Sequence, residues 1–116
     1  MQYMLLIYGE EKEHAKMPQE ALQEMFAAYY AYTNALKEAG VFIAGDALHD
    51  TPAATTVRVR DEAVITDGPF AETTEQLGGY YLIDVADLDA ALEWAKKCPG
   101  SHHGSVEVRP VMIYEG

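Results

Sequence analysis

The opening run Tyr3-Met4-Leu5-Leu6-Ile7-Tyr8 is almost continuously apolar and stops at Gly9, the pattern of a strand covered on both faces. Residues 10–16 are charged and read as a loop, and Pro18 stands where a helix tolerates proline best, in its first turn. Leu22, Met25, Phe26, Tyr29, Thr33 and Leu36 then recur at spacings of three and four, marking one face of a helix of about 20 residues. Gly40 is placed to stop it in a left-handed conformation. Residues 41–44 predict a second strand broken by Gly45-Asp46, and residues 55–60 and 63–66 predict a hairpin joined at Asp61-Glu62. Asp67-Gly68-Pro69 is a turn signal, and residues 80–85 predict another strand after Gly78-Gly79. Asp87 is a good N-cap for a helix whose buried stripe is Leu88, Ala91, Leu92 and Ala95, ended by Pro99-Gly100. The last strand runs from Val106 towards Tyr114, with Pro110 arguing for an edge or a bulge.

This order predicts an α+β fold: a ferredoxin-like βαββαβ protomer with an extra hairpin, its two helices on one side of an antiparallel sheet. One domain spans residues 1–116, without repeat, linker or low-complexity segment. Two helices cover one face of a sheet, and a wet second face alternates apolar with polar residues. Here Met4, Leu6 and Tyr8 back onto Tyr3, Leu5 and Ile7, and Tyr80 and Leu82 back onto Tyr81, Ile83 and Val85. Both faces are apolar, so a second copy of the chain is expected to cover the outer one, giving a homodimer joined through sheet faces.

Composition supports a packed core, with 49% hydrophobic and 23% charged residues in 116. Nineteen acidic against eight basic residues give a net charge of −11, which argues against nucleic acid and anionic membrane partners. The single Cys98 forbids an intramolecular disulfide and supplies at most one metal ligand. Residues 1–8 are too short for a secretory signal, and nothing approaches the ~20 apolar residues of a membrane helix. A soluble, cytoplasmic protein is the expectation.

Residues 67–81 form the most distinctive segment, with Asp67, Glu72 and Glu75 beside aromatics and glycines. A carboxylate in an aromatic pocket can serve as a general base near neutral pH. The competing reading is a structural turn with solvated carboxylates. Asp46 follows a strand and is placed to face the same cleft as Asp67, while Tyr8, Tyr80, Tyr81 and Phe70 supply aromatic walls. Arg58 is the candidate anion anchor, and like Arg109 it can instead pair with Glu107 or Asp84 across the sheet. His102-His103 lacks metal-ligand spacing, and Gly78-Gly79 lacks a nucleotide-binding pattern, so no metal and no cofactor are expected.

The run Asp67-Gly68-Pro69-Phe70-Ala71-Glu72-Thr73, continuing through Glu75-Gln76-Leu77-Gly78-Gly79-Tyr80-Tyr81, resembles the DGPF-type branch of the YCII-related proteins. Ala44-Gly45-Asp46-Ala47-Leu48, Asp87-Leu88-Asp89-Ala90-Ala91-Leu92 and Ser105-Val106-Glu107-Val108-Arg109-Pro110 resemble it too, so the likeness covers nearly the whole chain. It implies a dimeric α/β-barrel of ferredoxin-like protomers and, for some members, an association with extracytoplasmic-function sigma factors. The wider superfamily implies a His–Asp pair with the histidine on the first helix. The helix expected from Gln19 onwards has none, and Tyr29 and Tyr30 stand in that stretch. Two functions follow as expectations. One is a cofactor-free lyase or isomerase acting on a small cyclic or aromatic carboxylate, with Asp67 as base, Asp46 or Glu75 as second carboxylate and an arginine as anchor. The other is a non-catalytic ligand-binding or regulatory module. The first expects Asp67 partly buried beside the sheet, within reach of Tyr8, Tyr80 or an arginine.

Overall fold

The computed structural model describes residues 1–114; Glu115 and Gly116, the end of the domain expected over 1–116, lie outside the described residues. The elements run β1 (Gln2–Gly9), α1 (Glu11–Ala15), α2 (Gln19–Glu38), β2 (Phe42–Ala47), β3 (Thr55–Val59), β4 (Ala63–Asp67), β5 (Gln76–Asp84), α3 (Leu88–Lys97) and β6 (Ser105–Pro110). Short 3-10 turns occupy Thr51–Ala53 and Pro99–His102. The fold is mixed α+β. Four strands form one antiparallel sheet in the order β2-β5-β1-β6, and β3 and β4 form a separate two-stranded sheet. No helix among the described residues is long and apolar enough to cross a membrane.

The core forms where one sheet face meets α2 and α3. Tyr3 and Leu5 from β1 and Tyr81 and Ile83 from β5 pack against Tyr32 and Leu36 of α2 and Ala91 and Ala95 of α3, with Cys98 sealed among them. Tyr32 is the hinge of this packing. Its ring meets Tyr81 edge-on at 5.3 Å and Trp94 at 6.2 Å, and its hydroxyl donates to the Trp94 carbonyl at 2.7 Å. At the end of α2, Gly40 takes φ +73°, Val41 N–H bonds Leu36 C=O at 3.1 Å and Gly40 N–H bonds Lys37 C=O at 3.0 Å. That is a Schellman stop, as the glycine predicts. Asp87 likewise caps α3 by accepting from Ala90 N–H at 2.9 Å.

Several expectations are corrected. Residues 11–15 form a helix, too short for its periodicity to show in the sequence. β2 runs through Gly45-Asp46 instead of breaking there, and β5 begins at Gln76, taking Gly78-Gly79 into the sheet. On α3, Leu88 and Leu92 are exposed and the buried stripe is the small pair Ala91 and Ala95, because the helix lies close to the sheet. β6 ends at Pro110 and is an edge strand, where proline's missing donor costs no ladder bond.

The outer sheet face carries Met4, Leu6, Tyr8, Tyr80 and Leu82, all half-buried, flanked by Asp46 on β2 and by Glu107 and Arg109 on β6. The β3–β4 hairpin stands apart as an arm. It presents Val57, Val59, Val64 and Ile65 to solvent, each more than half exposed. The molecule is accordingly flat, 49 × 46 × 18 Å, with a radius of gyration of 16.1 Å. A compact chain of this length has about 13 Å.

Candidate functional site

A cavity of about 890 Å³ opens between the N-terminal half of α2 and the end of the sheet where β1 finishes and β5 begins. The apolar stripe of α2 explains it. Tyr32 and Leu36, in the C-terminal half, are buried in the core, Tyr29 packs against it, and Leu22, Met25, Phe26 and Tyr29 roof the cavity. Its floor is Ile7, Gly45 and the stretch Gly78 to Tyr81, and its far wall is α1 with the 3-10 turn at Thr51–Ala53. Two glycines set its shape by close approach. A Cβ on Gly45 would lie 2.6 Å from the Tyr81 ring, and one on Gly100 would lie 2.7 Å from the Tyr29 hydroxyl.

Three sets of hydrogen bonds hold the polar groups. Tyr80 Oη donates to Asp46 Oδ2 at 2.7 Å, and that bond to the carboxylate raises the Tyr80 phenol above its ordinary pKa. Thr33 Oγ1 donates to the Tyr29 carbonyl at 2.9 Å and lies 2.7 Å from Tyr81 Oη. With its one proton so engaged, Thr33 accepts from Tyr81. Burial pushes the Tyr81 and Tyr29 phenols up, so both stay protonated donors. On the far wall, both carboxylate oxygens of Glu11 accept from Thr51, one from its N–H and one from its hydroxyl, each at 2.7 Å. Glu11 N–H in turn donates to Gln76 Oε1 at 3.0 Å, clamping α1 to β5.

Of the residues singled out in the sequence, Tyr8, Asp46, Tyr80 and Tyr81 border this cavity, Tyr81 from the sheet face that meets α2 and Tyr8, Asp46 and Tyr80 from the edge of the outer face. Glu75 sits next to the wall residue Gln76 and accepts from Ser105 Oγ at 2.7 Å. Asp67, Arg58 and Phe70 lie elsewhere, on or beside the arm. The Arg58 guanidinium lies 4.7 Å over the exposed Phe70 ring. Asp67 faces Thr55 across the hairpin, is exposed, and hydrogen-bonds none of Tyr8, Tyr80 or an arginine among the described residues. The partial burial expected of Asp67 is therefore not found. Its segment is the second strand of a projecting hairpin, not a loop folded onto the sheet. Arg109 pairs with Glu107 at 2.8 Å, and Asp84 receives the Met1 ammonium at 3.0 Å.

The sequence reading missed His14, His49 and Asp50, all of which border the cavity. His14 lies on a helix of five residues, and its ring packs against Gly9. No periodic signal marks it. His102 and His103 both border a shallow groove beside α2, and of the two His103 also borders the cavity. Among the described residues no three His, Cys, Asp or Glu side chains converge as a metal-ligand set. Cys98 is fully buried, and burial raises its thiol pKa, as befits a small core residue and not a nucleophile.

The chain is similar to a 5-chloro-2-hydroxyhydroquinone dehydrochlorinase of Burkholderia phenoliruptrix AC1100, solved in complex with 2,5-dihydroxybenzoquinone. The two share 12% identity and a TM-score of 0.56 over 97% of this chain and 94% of that one, a likeness of fold. In sequence it is 38% identical over 118 residues to an uncharacterised protein of Rhizobium meliloti (strain 1021), covering 99% of this chain and 95% of that protein. The model of the YCII-related domain matches residues 1–115. With that match running through every strand and helix described above, the chain belongs to the YCII-related family.

Proposed function

We propose that the protein is a small-molecule enzyme of the lyase or isomerase class that works by proton transfer on a small cyclic or aromatic substrate without a cofactor. The observation that carries this reading is the Asp46–Tyr80 pair, at the outer sheet edge that borders a tyrosine-walled cavity of about 890 Å³, a volume within the range of small-molecule sites. The Tyr80 hydroxyl fixes one oxygen of Asp46 and leaves the other to accept a proton from the substrate. His14 and the Tyr29 hydroxyl border the cavity as donors for an oxygen that gains charge. The structural neighbour is a dehydrochlorinase with a quinone-type ring bound, which favours the same reaction class by analogy of fold. Asp46 takes over the role expected of Asp67, and Glu75 acts from outside the wall by holding Ser105.

The assembly proposed with it is a homodimer of ferredoxin-like protomers forming an α/β-barrel through the outer sheet faces. The order β2-β5-β1-β6 matches that protomer once the arm is set aside, and the outer face has the apolar centre and polar rim of an interface. Within the family, Asp67-Gly68-Pro69-Phe70 argues for the DGPF branch, and the lone buried Cys98 suits the reducing cytoplasm.

The test is hydrogen exchange. Small phenols and quinones that raise the melting temperature are incubated with the protein in D2O, and deuterium uptake at ring carbons is followed by NMR. The expected outcome is exchange accelerated at least 100-fold by the protein and lost in Asp46→Asn, with ligand binding retained. Binding without exchange in the unaltered protein would assign it to the non-catalytic class instead.

A further inference from the structure

The charge around the cavity specifies its ligand more narrowly than shape does. Glu11, Asp46 and Asp50 all border it, and among the described residues no lysine or arginine does. The chain's eight basic residues are placed elsewhere. Lys16, Lys96 and Arg109 pair with Glu13, Glu93 and Glu107, and Lys37, Arg58 and Lys97 lie over the rings of Phe42, Phe70 and Trp94. Lys12 and Arg60 are exposed and do not reach the cavity. The three carboxylates are not cancelled from within. Glu11 is held by two neutral donors on Thr51, Asp46 by a phenol, and the Asp50 side chain makes no capping bond to the turn it precedes.

With His14, His49 and His103, which also border the cavity, counted as neutral, an anion entering here meets like charges and no fixed counter-charge, on a molecule whose net charge is −11 on the same count. A cation meets the opposite field, and Phe26, Tyr29 and Tyr81 add aromatic rings of the kind that attract one. We propose that the cavity is a site for an aromatic ligand bearing a protonated amine and that it rejects the matching aromatic carboxylate. This rests on the reading of the cavity as an aromatic-substrate site and reverses the expectation of a carboxylate anchored by Arg58.

Three phenols that differ only in charge test it: tyramine, 4-ethylphenol and 4-hydroxyphenylacetate, titrated by calorimetry or NMR at pH 8 and low salt. The expected order of affinity is tyramine, then 4-ethylphenol, then 4-hydroxyphenylacetate, with at least a tenfold gap between the first and last. Raising the salt to 0.5 M should narrow the gap severalfold, because the attraction is screened. Asp50→Asn, which removes a charge but no hydrogen bond, should narrow it too. Equal affinities, or tightest binding of the carboxylate, would overturn the charge inference and leave the aromatic site standing. Loss of 4-hydroxyphenylacetate affinity in Arg58→Gln would place an arginine at the site and overturn it as well. Failure of all three phenols to bind would overturn the aromatic site itself, and this inference with it.

Discussion

Cys98, Tyr32 and Tyr81 are protonated acids sealed in the core, and burial raises each above the ordinary 9.0 of a thiol or 10.0 of a phenol. In the unfolded chain they ionise at those ordinary values, while in the folded chain they keep their protons. The unfolded state therefore binds fewer protons as pH rises, and stability falls. It is undiminished below pH 9 as far as these groups are concerned. Above that the thiol contributes first and the phenols follow from about pH 10, each at up to about 1.4 kcal/mol per pH unit. Urea denaturation followed by the fluorescence of Trp94, the single tryptophan, should give a midpoint that falls from pH 9 to 11 and steepens above 10. Cys98→Ala should delay the onset of the decline while lowering stability at pH 7 through the cavity it leaves.

Among the elements, α2 divides its labour along its length. Its C-terminal half supplies Tyr32 and Leu36 to the core, and its N-terminal half holds an apolar stripe above the cavity. β2 sets the opposite side through Gly45, where the Tyr81 ring crosses the backbone. Gly45→Ala should force that ring aside, lowering stability by about 1–3 kcal/mol. Tyr81 would then lose its bond to Thr33, so ligand-induced stabilisation should fall more than stability does. Thermal melts with and without a bound phenol separate the two effects. An unchanged ligand shift in this variant would show that Tyr81 is core alone.

At the level of the whole molecule, the flat shape and the apolar outer face of Met4, Leu6, Tyr8, Tyr80 and Leu82 are what the proposed dimer would cover. An isolated hairpin is marginal in water, so the arm with Val57, Val59 and Ile65 also needs a surface to rest on. A dimer burying at least ~1,200 Å² in total answers both. Sedimentation at micromolar concentration should give the dimer mass, and Leu82→Glu, a charge at the centre of the outer face, should give the monomer. A monomer for the unaltered chain would remove the sheet-face assembly.

The hydrophobic pattern by itself determined strand β1, the start of β6, the hairpin, both long helices and the α+β order, because periodicity and caps are local. Gly40 and Asp87 act through bonds to residues within a few positions, and both behave as their types predict. Tyr8, Asp46, Tyr80 and Tyr81 were legible as neighbours of one another, and all four border the cavity, because they lie on strands whose ends meet. Tertiary structure alone decided the rest. It put His14 and Asp50 at the cavity, since a five-residue helix and a 3-10 turn carry no periodic signal. It also carried Asp67, Arg58 and Phe70 away on the arm, because alternation shows that β3 pairs with β4 but not whether the pair joins the main sheet. Which face an apolar residue meets is a long-range fact: Phe26 and Leu36 look alike in the stripe, yet only Leu36 has the sheet behind it.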